Sequence, residues 1–206
     1  MDKTELFIKN LFADRFKIEL RKIPEPGDKQ TPDFEMIANG ERVAVLEVKN
    51  LEAVDPSKAK GWSKDGFFST RKDNGPARVA RCIHKACGQL SEYQEPKILV
   101  LVSDGDVDVL DLEEAVRGFL DYGDGDFVLR NTASRKIAQG DIRDEKGKID
   151  LYVWVNRHLF GDPFILEMPA LQKPRQRIIK DENLVQFRVT TPAGEALVNS
   201  FQGLVK

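Results

Sequence analysis

Cysteine is scarce in this chain of 206 residues, with Cys82 and Cys87 the only two. Both fall inside one predicted helix, five residues apart and on different faces, which suits neither a disulfide nor a zinc site. They read as core or boundary thiols. Histidine is equally scarce, and His84 and His158 stand isolated, which favours ordinary residues over ligands or a proton relay. Long apolar runs are missing too: the longest purely aliphatic stretch, Ile98 to Val102, is far too short to cross a bilayer. The first residues run straight into an amphipathic pattern, without the apolar core and small-residue cleavage site of a signal peptide. A cytoplasmic protein with no membrane partner is expected. There is no internal repeat, no low-complexity tract and no general excess of positive charge. The formal net charge is -2, which argues against a surface that is basic all over.

What is present is ordinary globular material, 41% hydrophobic and 32% charged, in a length that can bury one sizeable core. A single domain over residues 1–206 is expected, with its core over about 1–102 and an elaboration over about 103–206. The charge is unevenly spread. Between Lys49 and Gln89 stand nine Lys or Arg against four acids, a local field that can attract phosphate.

Leu6, Phe7, Leu11 and Phe12 sit at helical spacing, and Asp2 with Glu5 forms a capping-box pattern, so a first helix is predicted over about 3–13. Phe16, Ile18 and Leu20 alternate with polar neighbours as in a strand that Pro24 and Pro26 end. A second strand near 33–38, the turn signal Asn39-Gly40 and a third strand near 41–49 make a hairpin. Residues 51–75 read as a long polar loop, in which Trp62, Phe67 and Phe68 anchor the loop or stack on bases. A helix follows from Pro76 to about Tyr93. On it Val79, Ile83, Ala86 and Leu90 share one arc, and Arg78, Arg81, Lys85 and Gln89 the other. Strands at 97–102 and 149–155, and helices at 111–120 and 193–205, complete the reading. Between about 160 and 193 prolines break the pattern. Asp104, Asp106 and Asp108 do not form a calcium loop, because the required Gly and Glu are replaced by Val109 and Ala115.

The third strand, Val43 to Lys49, is apolar on both faces until its end, as in a strand covered on both sides. Yet Glu47 and Lys49 are charged, two residues apart, and therefore point to the same face with Cα atoms about 6.6 Å apart. Charges at the end of a central strand are costly unless paired or ligating a metal. Upstream, Pro32-Asp33 opens the preceding strand. Pro32-Asp33, thirteen residues, then Glu47-Val48-Lys49 resembles the motif of the PD-(D/E)XK nuclease superfamily. Gln89-Leu90-Ser91-Glu92-Tyr93 resembles the Q-X-X-X-Y motif of its RecB-like branch. The resemblance covers about residues 1–102 and implies an α/β fold with a restriction-endonuclease-like core. Its mixed central sheet is flanked by helices in the order α-β-β-β-α-β.

It implies further that the chain is a phosphodiesterase, most simply a DNA endonuclease. Asp33, Glu47 and the Val48 carbonyl would hold Mg²⁺ or Mn²⁺, and Lys49 would orient water and steady phosphate charge. Gln89 and Tyr93 would support the site, with Arg78, Arg81 and Lys85 contacting the nucleic acid. Many members carry a further metal-linked Glu on the first helix, and Glu5 is the candidate here. The four-cysteine iron-sulfur cluster of some relatives is not expected with two cysteines. Two alternatives stand beside this reading, a nucleic-acid-binding module without cleavage and an unrelated α/β protein with a structural Glu-Lys pair. A homodimer is compatible with each.

Register gives a sharper test. A plain two-residue turn at Asn39-Gly40 would set Asp33 opposite Leu46, facing away from Glu47. A three-residue loop, Ala38-Asn39-Gly40, would set it opposite Val45 and on Glu47's face. That loop, or a bulge of the same effect, is expected.

Overall fold

The capping box at the start of the chain forms as expected. Glu5 N–H donates to Asp2 Oδ1 at 2.8 Å, and Asp2 N–H donates to Glu5 Oε2 at 3.2 Å. This opens helix α1 (Lys3–Phe16) in a computed structural model that describes residues 1–25, 27, 31–52, 75–105, 107–117, 145–159 and 184–204. The expected loop lies outside the described residues from 53 to 74, with Trp62, Phe67 and Phe68, as do Asp106 and 118–120 of the predicted helix. Helix α1 takes in Phe16, which sequence alternation assigns to a strand. Phe12 and Phe16 are one turn apart and meet edge to face at 5.4 Å, and Lys17 ends the helix in the left-handed region at φ 57. The aromatic pair outweighs the two-residue period.

Five further elements follow in the predicted order: β1 (Glu19–Lys22), β2 (Phe34–Ala38), β3 (Glu41–Leu51), α2 (Gly75–Leu90) and β4 (Lys97–Ser103). Then come α3 (Val109–Arg117), β5 (Leu151–Asn156), β6 (Val185–Val189) and α4 (Pro192–Leu204). Helix α2 stops three residues before the expected Tyr93. Ser91 Oγ donates to the Gly88 carbonyl at 2.8 Å, a local bond that competes with continued helix.

The six strands form one mixed sheet in sequential order. The neighbours β1, β2 and β3 run antiparallel, β3, β4 and β5 parallel, and β6 antiparallel to β5. Helices cover both faces. Ile8 and Phe12 of α1 and Leu197 and Phe201 of α4 pack on the face of Leu46, Val48, Ile98 and Val100. Val79, Ile83, Ala86 and Leu90 of α2, the arc expected to be apolar, pack with Leu112 of α3 on the face of Val45, Leu99 and Leu101. Each fully buried Leu, Val, Ile or Phe contributes about 1.5–3 kcal/mol, so the two layers fix the sheet between them. Among the described residues no helix is long and apolar enough to cross a membrane.

Candidate active site

The hairpin joining β2 and β3 decides where the acids point. Its turn has two residues, not three: Ala38 pairs with Glu41, while Asn39 at φ 53 and Gly40 at φ 84 are both left-handed. Asn-Gly is the pair best suited to that turn. The compensation lies in the strands, where the register steps between Met36↔Ala44 and Ile37↔Arg42 and leaves Val43 as an extra residue on β3. Beyond this bulge Phe34 pairs with Leu46, so Asp33, one step further, lies across from Glu47 rather than Val45. The three-residue loop is therefore corrected, and the bulge has the effect the register test required.

Asp33 is held at both carboxylate oxygens. Oδ2 accepts from the Val48 N–H at 2.8 Å, and Oδ1 accepts from Lys22 Nζ at 3.0 Å. In a continued antiparallel ladder, the Val48 amide and carbonyl would bond residue 32. Pro32 has no N–H, so it cannot close that rung on the Val48 carbonyl. The Pro-Asp pair thus ends the ladder and puts a carboxylate on the freed amide.

Glu47 is 1% exposed. Burial, then the neighbouring Asp33, pushes its carboxyl up to about 7, while Lys49 and Gln89 pull the other way. Its Oε1 accepts from Lys49 Nζ. Lys49 Nζ also donates to Gln89 Oε1 at 2.7 Å, and Gln89 Nε2 donates to the Thr31 carbonyl at 3.5 Å. An ammonium has three donors, so one remains for a further acceptor. Glu47, Lys49 and Gln89 are thus joined at the end of β3, and Asp33 stands at the same end of the sheet, near enough to raise the Glu47 carboxyl.

Other expected positions are placed differently. Tyr93 stands at the opposite edge, its ring 5.7 Å from the Arg42 guanidinium. Arg42 and Lys49 are about 23 Å apart along β3, and because α2 has already ended, Tyr93 is not carried one turn past Gln89. Site support by Tyr93 is corrected accordingly. Glu5 does not join Asp33 and Glu47 as a third ligand: its Oε1 accepts from Lys22 Nζ at 3.0 Å. Arg81 and Lys85 are exposed on α2 and Arg78 is half-buried, donating to the Glu52 carbonyl. All three surround Cys82, whose thiol burial pushes up against the pull of Lys49 and these cations. Cys82 and Cys87 are both free.

Lys22 is the site residue that sequence reasoning missed. Period-two alternation puts it on the same inward face as Leu20, and an ammonium there calls for an acid. Burial alone would lower its pKa, but hydrogen bonds to Asp33 and Glu5 outweigh this and raise it.

Among the described residues Thr31 Oγ1, Glu47 Oε2 and Asn50 Oδ1, all in or beside the motif in sequence, are buried without a hydrogen-bond partner. Buried polar atoms are normally satisfied, so the unpartnered Glu47 Oε2 asks for a further donor or cation. A hard divalent cation fits the donor set, since Glu47 Oε2 is unpartnered, Asp33 retains lone pairs and the Val48 carbonyl has lost its ladder donor. Among the described residues no group of three or more His, Cys, Asp or Glu side chains converges as a metal site. Compared with known proteins, the chain matches no family model, no curated protein and no solved structure.

Proposed function

We propose that the chain is a cytoplasmic, metal-dependent phosphodiesterase that cleaves DNA, built on a restriction-endonuclease-like core of the PD-(D/E)XK type. The observation that carries this reading is that the register, stepped by the bulge at Val43, brings Asp33 across from Glu47 at the end of β3 where Lys49 stands. A structural ion pair alone would leave Glu47 Oε2 buried without purpose.

Asp33, Glu47 and the Val48 carbonyl would hold Mg²⁺ or Mn²⁺, which when bound supplies Lewis acidity toward a phosphoryl oxygen and toward water. Lys49, kept in place by Glu47 and Gln89, points its remaining N–H at a phosphate oxygen and offsets the charge that grows there. Asp33 is locked by Val48 and Lys22, so it meets its partner with little reorganisation. Arg81 and Lys85, exposed along α2, supply positive charge for the nucleic-acid backbone.

Incubation with DNA and Mg²⁺ or Mn²⁺ tests the reading. Cleavage by wild type that is lost in Asp33→Ala and Lys49→Ala supports it. Binding without cleavage would favour the inactive module, and neither binding nor cleavage would favour the structural pair.

A further inference from the structure

Lys22 ends β1 on the edge strand, and its ammonium is hydrogen-bonded evenly to two carboxylates, Glu5 Oε1 and Asp33 Oδ1, each at 3.0 Å, with the exposed Glu25 Oε1 further off at 3.7 Å. Lys22, Glu5 and Asp33 are part-buried, at 26%, 14% and 13% exposure. The Lys22 nitrogen also stands 5.4 Å over the Phe34 ring, a favourable seat for a cation. Glu5 is fixed in turn, since its other oxygen caps α1. The ammonium is therefore clamped between helix and sheet.

We propose that Lys22 is a built-in counter-ion, occupying the place between Asp33 and Glu5 that a second divalent cation would need, so that the site holds one metal ion and Glu5 acts on Asp33 only through Lys22. This rests on the metal-dependent reading given above. Charge supports it: Glu5, Glu25, Asp33 and Glu47 oppose Lys22, Lys49 and the N-terminal ammonium, four acids against three cations, and one divalent cation already overcomes the deficit where two would leave a larger positive excess. Geometry supports it too, because a cation between Glu5 and Asp33 would have to displace an ammonium with two hydrogen-bonded partners. Lys22 is a positioning residue, since it touches Asp33 and not the proposed reacting atoms.

The test counts Mn²⁺ per chain by calorimetric titration and electron paramagnetic resonance on the full chain, with Mn²⁺ alone as probe. Wild type is expected to bind one ion. Glu5→Gln should keep that count while weakening affinity by about tenfold, the scale of a ligand's supporting partner. Lys22→Met should leave Glu5 and Asp33 facing one another and gain a second, spin-coupled Mn²⁺, and adding Glu5→Gln should return the count to one.

Two ions in wild type, a single ion in folded Lys22→Met, or loss of the metal in Glu5→Gln overturns the proposal while leaving a metal site at Asp33 and Glu47 standing. No Mn²⁺ bound to wild type overturns both the proposal and the functional reading. If circular dichroism shows Lys22→Met unfolded, the wild-type count and the Glu5→Gln affinity decide the matter.

Discussion

The two ends of β3 carry similar ionic chemistry and treat it in opposite ways. At the first end Arg42, 41% exposed, pairs with Glu95 and lies 3.9 Å from Glu35. The Glu95 carboxyl is lowered chiefly by its own backbone N–H, which burial opposes and Arg42 reinforces. At the far end Glu47 is 1% exposed, and despite Lys49 beside it, burial and Asp33 raise it to about 7. The first end of β3 thus meets, through Arg42, a carboxylate that a backbone N–H and a guanidinium stabilise, whereas the far end carries a carboxylate with one oxygen buried and without a hydrogen-bond partner. A structural ion pair is expected at the first position, whereas the second calls for a further cation.

The comparison breaks most visibly in activity. Lys49→Ala or Asp33→Ala should lower DNA cleavage by about 10³-fold, roughly 4 kcal/mol in the transition state. Arg42→Ala should leave the cleavage rate unchanged in the same assay. A loss of cleavage in Arg42→Ala would mean that the two ends are not functionally distinct.

Next comes pH. The folded pKa of Glu47 lies above its ordinary value of 4.5, so its contribution to stability is full below 4.5 and is lost as pH rises through 7. Metal-free wild type should lose on the order of 3 kcal/mol over that window relative to Glu47→Gln. Urea unfolding of both proteins at pH 4.5 and pH 8 measures the difference, and added Mn²⁺ should restore wild type at the higher pH. Equal pH dependence in the two proteins would remove the contrast with Glu95.

Smaller effects belong to the turn end. Gly40→Ala forces a side chain onto φ 84, at a cost of about 1 kcal/mol, with cleavage per folded molecule intact. Glu95→Ala should lower the unfolding free energy from urea titration least, by at most about 1 kcal/mol, as expected of a pair near the surface.

The order of elements through β4 was legible because each apolar stripe faces a layer that exists. The arc of Val79, Ile83, Ala86 and Leu90 is buried as its spacing predicts. Strand β6 was not legible: it is an edge strand with only Val185 fully buried, so its apolar signal is weak. Phe16 satisfied both periods, and only contacts with Phe12 and Phe201 settle it as helical. A shared side for Asp33 and Glu47 required either a longer turn or a bulge, and which of the two, and the place of the bulge at Val43, had no local signal. Tyr93 misled because a motif counts residues, while its side chain goes where the helix end sends it. Lys22 was overlooked because its partners, Glu5 and Asp33, lie 17 and 11 positions away.

The rung that Pro32 leaves open has a further consequence. An oxygen offered by the main chain at Val48 is immune to replacement of that residue's own side chain, so exchanges there can tune packing on the α1 layer without erasing the donor. The position through which this oxygen can be silenced is sixteen residues earlier in the chain. Any amino acid at 32 that restores an amide hydrogen would compete for it, and if the proposed metal site is right, a change to a residue with no charge and no reactive group would then weaken it from outside.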